Sequence, residues 1–380
     1  MNILFLIFHG FSETSGISQK ILYQIKGMRE SGHKVDVCTY IVDKTGYCLR
    51  MINEEIIKNY GTGLSGAIRR RIEFDSVYQY ALSHQIDLMY VRSMHNANPF
   101  TIHLFKSLRQ KGIKIALEIP TYPYDNEYKG FPLLTRLGLQ TDKLFRYQLA
   151  KQANVIVTFS NEKNIFGQCT IRISNGVDFD NIKLRSKIQN PSDEIHFIGV
   201  AEVHYWHGYD RLIAGLGEYY RESRKKTIYF HIIGGIGPSE MYDSQHAPGF
   251  HELIEKYNIE KYIIFHGPRY GKELDDLFNH ADIAIGSLAR HRSGIEYIKT
   301  LKNREYAARG IPFIYSETDS DFDNMPYILK VPANEDAIDI EKVIFFYENN
   351  HFIPHDIRNS ILHLSWKEQM NIVIKQITGS

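Results

Sequence analysis

At 380 residues the chain is long for one hydrophobic core and suits two domains of ordinary size. With 43% apolar residues and no apolar run near the ~20 that span a bilayer, it reads as soluble and without a membrane helix. A formal charge of +1 argues against nucleic acid as the main partner. Three cysteines, Cys38, Cys48 and Cys169, lack metal-ligand spacing and point to a reducing, cytoplasmic compartment.

MNILFLIFHG has neither a basic leading segment nor a small-residue cleavage site, so Asn2 to Phe8 is read as a first strand. A helix follows with Ile17, Ile21, Ile25 and Met28 on one face; Gly32-His33 stops it, and Lys34 to Tyr40 is a second strand. In such a βαβ start, function collects at the strand's carboxyl end, here His9 to Gly16. Gly10 and Gly16 permit close backbone approach and Ser15 is a helix cap; a plain β-to-α turn is the other reading. Between Asp43 and Phe74 the pattern weakens, and the tract Arg69-Arg70-Arg71 is read as a solvated helix face before a membrane contact.

Asp75 to His84 is helical, and Ile86 to Val91 is a strand that brings Arg92, Ser93 and His95 to the same edge as His9. A helix over Phe100 to Arg109 and a strand over Ile113 to Ile119 continue the alternation of a doubly wound parallel sheet. The loop EIPTYPYDNEYKGFP, with Tyr122, is either an acceptor-binding surface or a packed loop. Leu133 to Lys151 is an amphipathic, basic helix, and Val155 to Phe159 is the last strand of this half.

Lys187 to Glu194 is a linker candidate and Ile195 to Val200 a strand. The following AEVHYWHGYDRLIAGL places His207-Gly208 at a helix start, where the amino terminus favours an anion. Ile228 to Ile233 ends in Gly234-Gly235-Ile236-Gly237-Pro238, which can admit a phosphate or base to the backbone. The next strand, Tyr262 to Phe265, lacks the closing acid of a ribose-binding dehydrogenase. Asp282 to Ser287 opens onto Arg290, His291 and Arg292, read as aimed at an anion and otherwise as a solvated loop.

A helix over Tyr297 to Arg309 is expected, since Ile298, Leu301, Glu305 and Ala308 share a face; Gly310 and Pro312 end it before a buried strand, Ile311 to Tyr315. Glu305 is the misfit on that face. It either pairs with Arg309 or Lys302, or accepts hydroxyls of a ligand. Asp319, Asp321 and Asp323 mimic a metal-binding Asp-x-Asp motif and are read as decoys. From Asp336 the chain is helical, its last helix having Trp366, Met370, Val373, Ile374 and Ile377 in phase.

Arg304-Glu305-Tyr306-Ala307-Ala308-Arg309-Gly310-Ile311-Pro312-Phe313-Ile314 resembles the helix segment of family-4 glycosyltransferases of the GT-B fold, Glu-Ala/Tyr-x-Ala-x-Gly-x-Pro-hydrophobic. Asn175-Gly176-Val177-Asp178 resembles the segment that leads into that family's second domain, and Trp206 to Leu212 keeps its glycine and helix start. The resemblance implies an α/β protein of two Rossmann-like, doubly wound parallel-sheet domains facing across a cleft. Residues 1–180 would form the acceptor side and 181–361 the donor side, with helix 362–380 crossing back to the first. It implies retaining, metal-independent transfer of a sugar from a UDP- or GDP-linked nucleotide-sugar donor to a glycan or lipid-linked acceptor, in bacterial surface polysaccharide synthesis, with no separate cofactor.

By the same resemblance Glu305 binds ribose, Lys302, Arg304, His207, Gly208 and Arg292 surround the diphosphate, and Gly235 lies beside the base. Where the family has a sugar-contacting Glu this chain has Tyr297, with Glu296 one step away; where it has Lys-Gly this chain has His207-Gly208. Glu296 and His9 are the catalytic candidates, and Gly16, Arg92 and Tyr122 lie on the acceptor side. The implied location is cytoplasmic, with a peripheral contact at the inner face of the membrane. The departures keep two alternatives in view: a nucleotide-sugar epimerase of the same architecture, and a non-catalytic carbohydrate- or nucleotide-binding protein.

Overall fold

The computed structural model describes all residues except 13–14, 125–132, 187–189, 223–225, 243–247, 296 and 380, and the backbone alone for 133–137. Glu296, the start of the linker candidate and most of the acidic aromatic loop therefore lie outside the described residues. The chain divides into two units: unit 1 is Met1–Gly176 with Ser365–Ser380, and unit 2 is Val177–Leu364.

Among the described residues, unit 1 has nine strands: β1 (Asn2–Leu6), β2 (Lys34–Val42), β3 (Tyr47–Ile52), β4 (Glu55–Thr62), β5 (Leu88–Arg92), β6 (Lys114–Ile119), β7 (Val155–Thr158), β8 (Asn164–Ile165) and β9 (Gln168–Arg172). Their spatial order is β4-β3-β2-β1-β5-β6-β7-β9-β8. The run from β2 to β9 is parallel; β3 and β4 extend one edge antiparallel and β8 the other. The helices are α1 (Gly16–Glu30), α2 (Gly63–Ile72), α3 (Asp75–Ser83), α4 (Pro99–Gln110), α5 (Leu133–Gln152) and the C-terminal helix Trp366–Thr378.

Successive residues of β1 fill opposite faces. Ile3, Phe5 and Ile7 pack with Ile21, Ile25 and Met28 of α1 and with Met370, Val373 and Ile374 of the C-terminal helix. Leu4 and Leu6 pack with Val77, Leu104, Phe105 and Leu149 of α3, α4 and α5. A strand buried on both sides has no place for polar alternation, hence its continuous apolar run. Gly27 and Gly176 let the C-terminal helix approach: a Cβ would lie 2.7 Å from the Trp366 backbone at the first and 2.3 Å from its ring at the second.

The weakly patterned stretch after Asp43 folds as the β3–β4 hairpin and α2. Its two-residue turn is Asn53-Glu54, both left-handed at φ 48° and 73°, and glutamate is an unusual occupant of such a turn. The basic tract is held by protein groups: Arg69 pairs with Glu73 at 2.6 Å and Arg70 lies 3.8 Å from the Tyr40 ring.

Unit 2 has six parallel strands among the described residues, β10 (Glu194–Val200), β11 (Thr227–Ile233), β12 (Ile263–Gly267), β13 (Ile283–Ile285), β14 (Phe313–Tyr315) and β15 (Ile328–Lys330), in the order β12-β11-β10-β13-β14-β15. Its helices are α6 (Tyr209–Glu222), a one-turn α7 (Pro238–Met241), α8 (Phe250–Tyr257), α9 (Gly271–His280), α10 (Leu301–Ala308), α11 (Ile340–Glu348) and α12 (Pro354–Ser360). Leu212, Leu253 and Val343 of α6, α8 and α11 cover one face; Phe278, Tyr306 and Ile357 of α9, α10 and α12 cover the other. No helix among the described residues is long and apolar enough to cross a membrane.

Three imidazoles run across β10, β11 and β12, His196 Nδ1 lying 2.9 Å from His231 Nε2 and His231 Nδ1 2.9 Å from His266 Nε2. The middle ring donates once and accepts once, the pattern of a neutral imidazole. Burial, reinforced by His196, His266 and His280, pushes His231 down to about 3. An unfolded histidine charges near its ordinary 6.5, so the stability tied to this ring is whole above that value and is lost as pH falls toward 3. Lowering the pH from 7 to 5.5 should lower the thermal midpoint by a few degrees, and His231→Phe should flatten the dependence; melts across that range check it.

Candidate functional site

The carboxyl ends of β10, β13 and β14 bring three loops together. After β10 the chain turns through Tyr205–His207 and Gly208 into α6. Gly208 is left-handed at φ 66° and lies against the next loop, where a Cβ would sit 2.8 Å from the Ala289 nitrogen. The Leu288 amide donates to the His207 carbonyl at 2.8 Å and the Ser316 amide to the Ser287 carbonyl at 2.9 Å, tying first loop to second and third to second. α10 begins later than its periodicity suggests. Tyr297 pairs with Thr318 as extended chain, the Ile298 amide donates to Thr318, and the Thr300 side chain caps the helix.

Two arginines lock these loops. Arg292 donates to both oxygens of Asp210 at 2.9 and 2.8 Å, to Glu335, and to the Tyr205 carbonyl at 2.9 Å. Arg304 is buried and donates to Asp319 at 2.6 and 3.0 Å, to Asp321 and to the Thr300 carbonyl. The acidic loop is matched further by Lys299, 3.5 Å from Asp321, and Lys330, 3.1 Å from Asp323. Both arginine charges are thus already met by carboxylates of the protein, and each guanidinium acts as a brace.

Lys302 differs. Its stem is partly exposed, but its ammonium is sealed from solvent, has no hydrogen-bond partner among the described residues, and lies 5.9 Å from the centre of the Tyr209 ring. Burial pushes Lys302 down to about 7, with Glu317 opposing the shift and Arg290 adding to it. Glu317 is 2% exposed and burial pushes it up to about 7. Its Oε1 accepts from Asn303 Nδ2 at 3.4 Å and its Oε2 has no partner. Tyr209 Oη, Ser287 Oγ and Asn303 Oδ1 are also buried without a partner among the described residues. Orphaned buried groups are rare in native proteins, and a cluster of them marks a place that a ligand or water completes.

His207 lies beside this cluster. Its Nδ1 accepts the His204 amide at 2.9 Å, so the neutral ring carries its proton on Nε2. Burial, with Lys302 and Arg290 beside it, holds His207 well below the usual histidine value. It is a neutral donor, not a cation. Glu305 is half-buried, and of the readings open to it the structure supplies the Arg309 pair: Oε1 accepts from Arg309 Nε at 2.9 Å, and Arg309 also meets Asp275 at 2.7 Å. Gly235 is where the β10 and β11 loops close, since a Cβ there would fall 2.4 Å from a Glu202 carboxylate oxygen.

The remaining candidates belong to unit 1 and each has its own neighbours. Arg92 is buried against Glu118, which also accepts from Tyr90 Oη at 2.6 Å and Gln24 at 2.7 Å. Burial pushes Glu118 up, but Arg92, Lys20 and these hydrogen bonds outweigh it and leave the carboxyl below its ordinary value. His9 donates from Nδ1 to the Gly10 carbonyl at 2.7 Å, Gly16 opens α1 behind the Ser15 cap, and Tyr122 meets Phe166 edge-on at 5.6 Å. Sequence reasoning gave no role to Tyr209 or Glu317. Glu317 does stand just past a strand's carboxyl end, which was the available signal.

No family model and no curated protein matches the chain. Solved structures match it end to end. A sucrose-phosphate synthase from Thermosynechococcus elongatus is 14% identical, with 100% of this chain and 99% of that chain covered and a TM-score of 0.65. The trehalose-6-phosphate synthase OtsA is 10% identical, at 100% and 99% coverage and a TM-score of 0.60. WaaG, a glycosyltransferase involved in lipopolysaccharide biosynthesis, is 13% identical, at 100% coverage of both chains and a TM-score of 0.56. The chain has the GT-B fold.

The braces and the lysine should respond oppositely to neutralisation. Arg304→Met strands two carboxylates and should cost about 3 kcal/mol or more. Lys302→Met removes a sealed charge with no partner and should leave the thermal midpoint unchanged or higher. Parallel thermal melts of the two variants check this.

Proposed function

We propose that the chain is a retaining, metal-independent glycosyltransferase whose unit 2 holds a nucleotide-sugar donor at the carboxyl ends of β10, β13 and β14. One observation carries the reading: Lys302 presents a sealed, unpartnered ammonium beside the Nε2–H donor of His207, at the start of α10. An anion satisfies both, and a diphosphate spans more than one such donor. Glu305, on the next turn of α10, takes the ribose hydroxyls by exchanging part of its Arg309 contact. The Gly235 loop lies beside the base, and Gly208 brings backbone close to phosphate. Arg292 and Arg304 act through the loops they fix. The sequence resemblance assigns Glu296 to the donor sugar and His9, Gly16, Arg92 and Tyr122 to the acceptor.

Chemically, the protein stabilises the departing diphosphate and orients two substrates. The leaving phosphate takes the acceptor's proton as its hydroxyl attacks from the face the nucleotide vacates. The acceptor is a glycan or a lipid-linked saccharide, and bacterial surface polysaccharide synthesis in the cytoplasm is the setting that the sequence resemblance supports.

Calorimetric titration with UDP, GDP, ADP and CMP, with and without EDTA, tests the reading. One diphosphate should bind, insensitively to EDTA, and about tenfold or more weaker in Lys302→Met and Glu305→Gln. No binding overturns the proposal, and donor consumption without an acceptor favours the epimerase. The affinity should also depend on pH. Lys302 must be charged to hold phosphate and loses its proton near 7, so binding should weaken about tenfold or more from pH 7.5 to 9, where the phosphate is already ionised. Lys302→Arg should remove that dependence.

A further inference from the structure

The cluster around Lys302 contains a second sealed group that a diphosphate has no use for. Glu317 is 2% exposed, and its Oε2 has no donor among the described residues. Its backbone is pinned: Lys330 Nζ donates to the Glu317 carbonyl, and the preceding Ser316 amide donates to Ser287. The carboxylate is therefore held inward. Asn303 Nδ2, at 3.4 Å from Oε1, is its one side-chain donor among the described residues, and the ion pairs of the loop bypass it for Asp319, Asp321 and Asp323.

Lys302 and Arg290 favour the carboxylate through space, but neither donates a hydrogen bond to it among the described residues. A buried carboxyl that lacks donors destabilises the fold, and an amide or thioether of similar volume would not. Against a phosphate the carboxyl would first have to take up a proton, since like charges at short range in a low-dielectric surrounding repel strongly, whereas a hydroxyl donates to the carboxylate as it stands. The group that suits the space between an ammonium and a carboxylate that do not pair is a hydroxyl, which accepts from the first and donates to the second. Asn303 Oδ1, Tyr209 Oη and Ser287 Oγ, all buried and unpartnered, add further neutral positions of the same kind. Several adjacent hydroxyls next to a phosphate are the chemistry of a sugar ring in a sugar nucleotide.

We propose that Glu317 receives hydroxyls of the donor's sugar beside Lys302 and thereby selects which sugar nucleotide binds. The inference rests on the donor reading above. It makes the group recognised at this point a neutral vicinal diol, and it places a sugar-binding carboxylate on the loop after β14.

Calorimetry on wild type, Glu317→Gln and Glu317→Asp tests it, with UDP and GDP against UDP-glucose, UDP-N-acetylglucosamine and GDP-mannose as ligands. Glu317→Gln also alters the charge of Lys302, a change that free diphosphate and sugar nucleotide share, so the readout is the difference: the sugar nucleotide of the same base should lose about tenfold or more beyond any change seen with the free diphosphate. Glu317→Asp keeps the charge with a shorter reach and should fall between; if Glu317→Gln does not fold, the comparison is read on Glu317→Asp. An equal loss for both ligands, no loss for either, or a wild type that gains nothing from any attached sugar overturns the role of Glu317 and leaves the donor reading standing. A wild type that binds no diphosphate overturns the donor reading, and the role of Glu317 with it.

Discussion

Arginine forks whose donors are met by the protein hold the candidate site in shape. Arg292 joins the loop after β13 to Asp210 at the start of α6 and to Glu335, Arg304 joins α10 to the loop after β14, and Arg211 donates to the Leu288, Pro332 and Asp336 carbonyls and to Asn334. Each is a planar fork that meets several acceptors in fixed directions, which a lysine's compact ammonium does not do. With these forks satisfied, the loops need no ligand to take their positions. Preorganisation of that kind lowers the entropy of ordering on binding.

The unmatched groups stand out against that background. Other buried charge among the described residues of unit 2 is mostly held by partners, Arg309 by Glu305 and Asp275, and Asp282 by Tyr347 Oη and the His196 amide; Arg185, which donates to the Ala281 carbonyl while its Nε has no partner, is an exception. Lys302 and Glu317 break the rule side by side, in the one part of the unit where sequence resemblance and strand topology both direct attention. Proteins that are locally consistent almost everywhere depart from consistency where function requires it. The departure destabilises the unliganded fold, and a ligand that supplies the missing partners recovers the difference as binding free energy.

Much of the fold was legible because its strands are buried on both faces and therefore read as short apolar runs. β1, β6, β10 and β14 fall where that signal is cleanest. The β3–β4 hairpin was not legible. Its strand YCLRMI carries Arg50, 1% exposed and bonded to the Arg70 carbonyl, so a charged letter sits where a core residue was looked for. In the site, Lys302, His207 and Glu305 came from local pattern and resemblance. Arg292 and Arg304 look like phosphate-binding cations by type alone; what makes them braces is Asp210, Glu335, Asp319 and Asp321, whose proximity only the fold decides. Glu317 was invisible for the same reason, since its interest lies in partners it lacks.

The histidine that stands where the resembling family has Lys-Gly can be understood from its neighbours. A second lysine at position 207 would place another ammonium close to Lys302 and Arg290 in a buried pocket, and like charges there would drive one of them neutral. The histidine avoids that conflict. Its Nδ1 is committed to the His204 amide and its ring is held neutral by burial and by the neighbouring cations, so it offers a directed N–H without adding charge. On the proposed reading, the loop after β10 supplies geometry to the diphosphate and α10 supplies the charge. On that reading the charge sits next to Glu317, where the sugar would begin. A cation at the junction of phosphate and sugar would be nearest the bond that breaks, which is where negative charge accumulates as a diphosphate leaves.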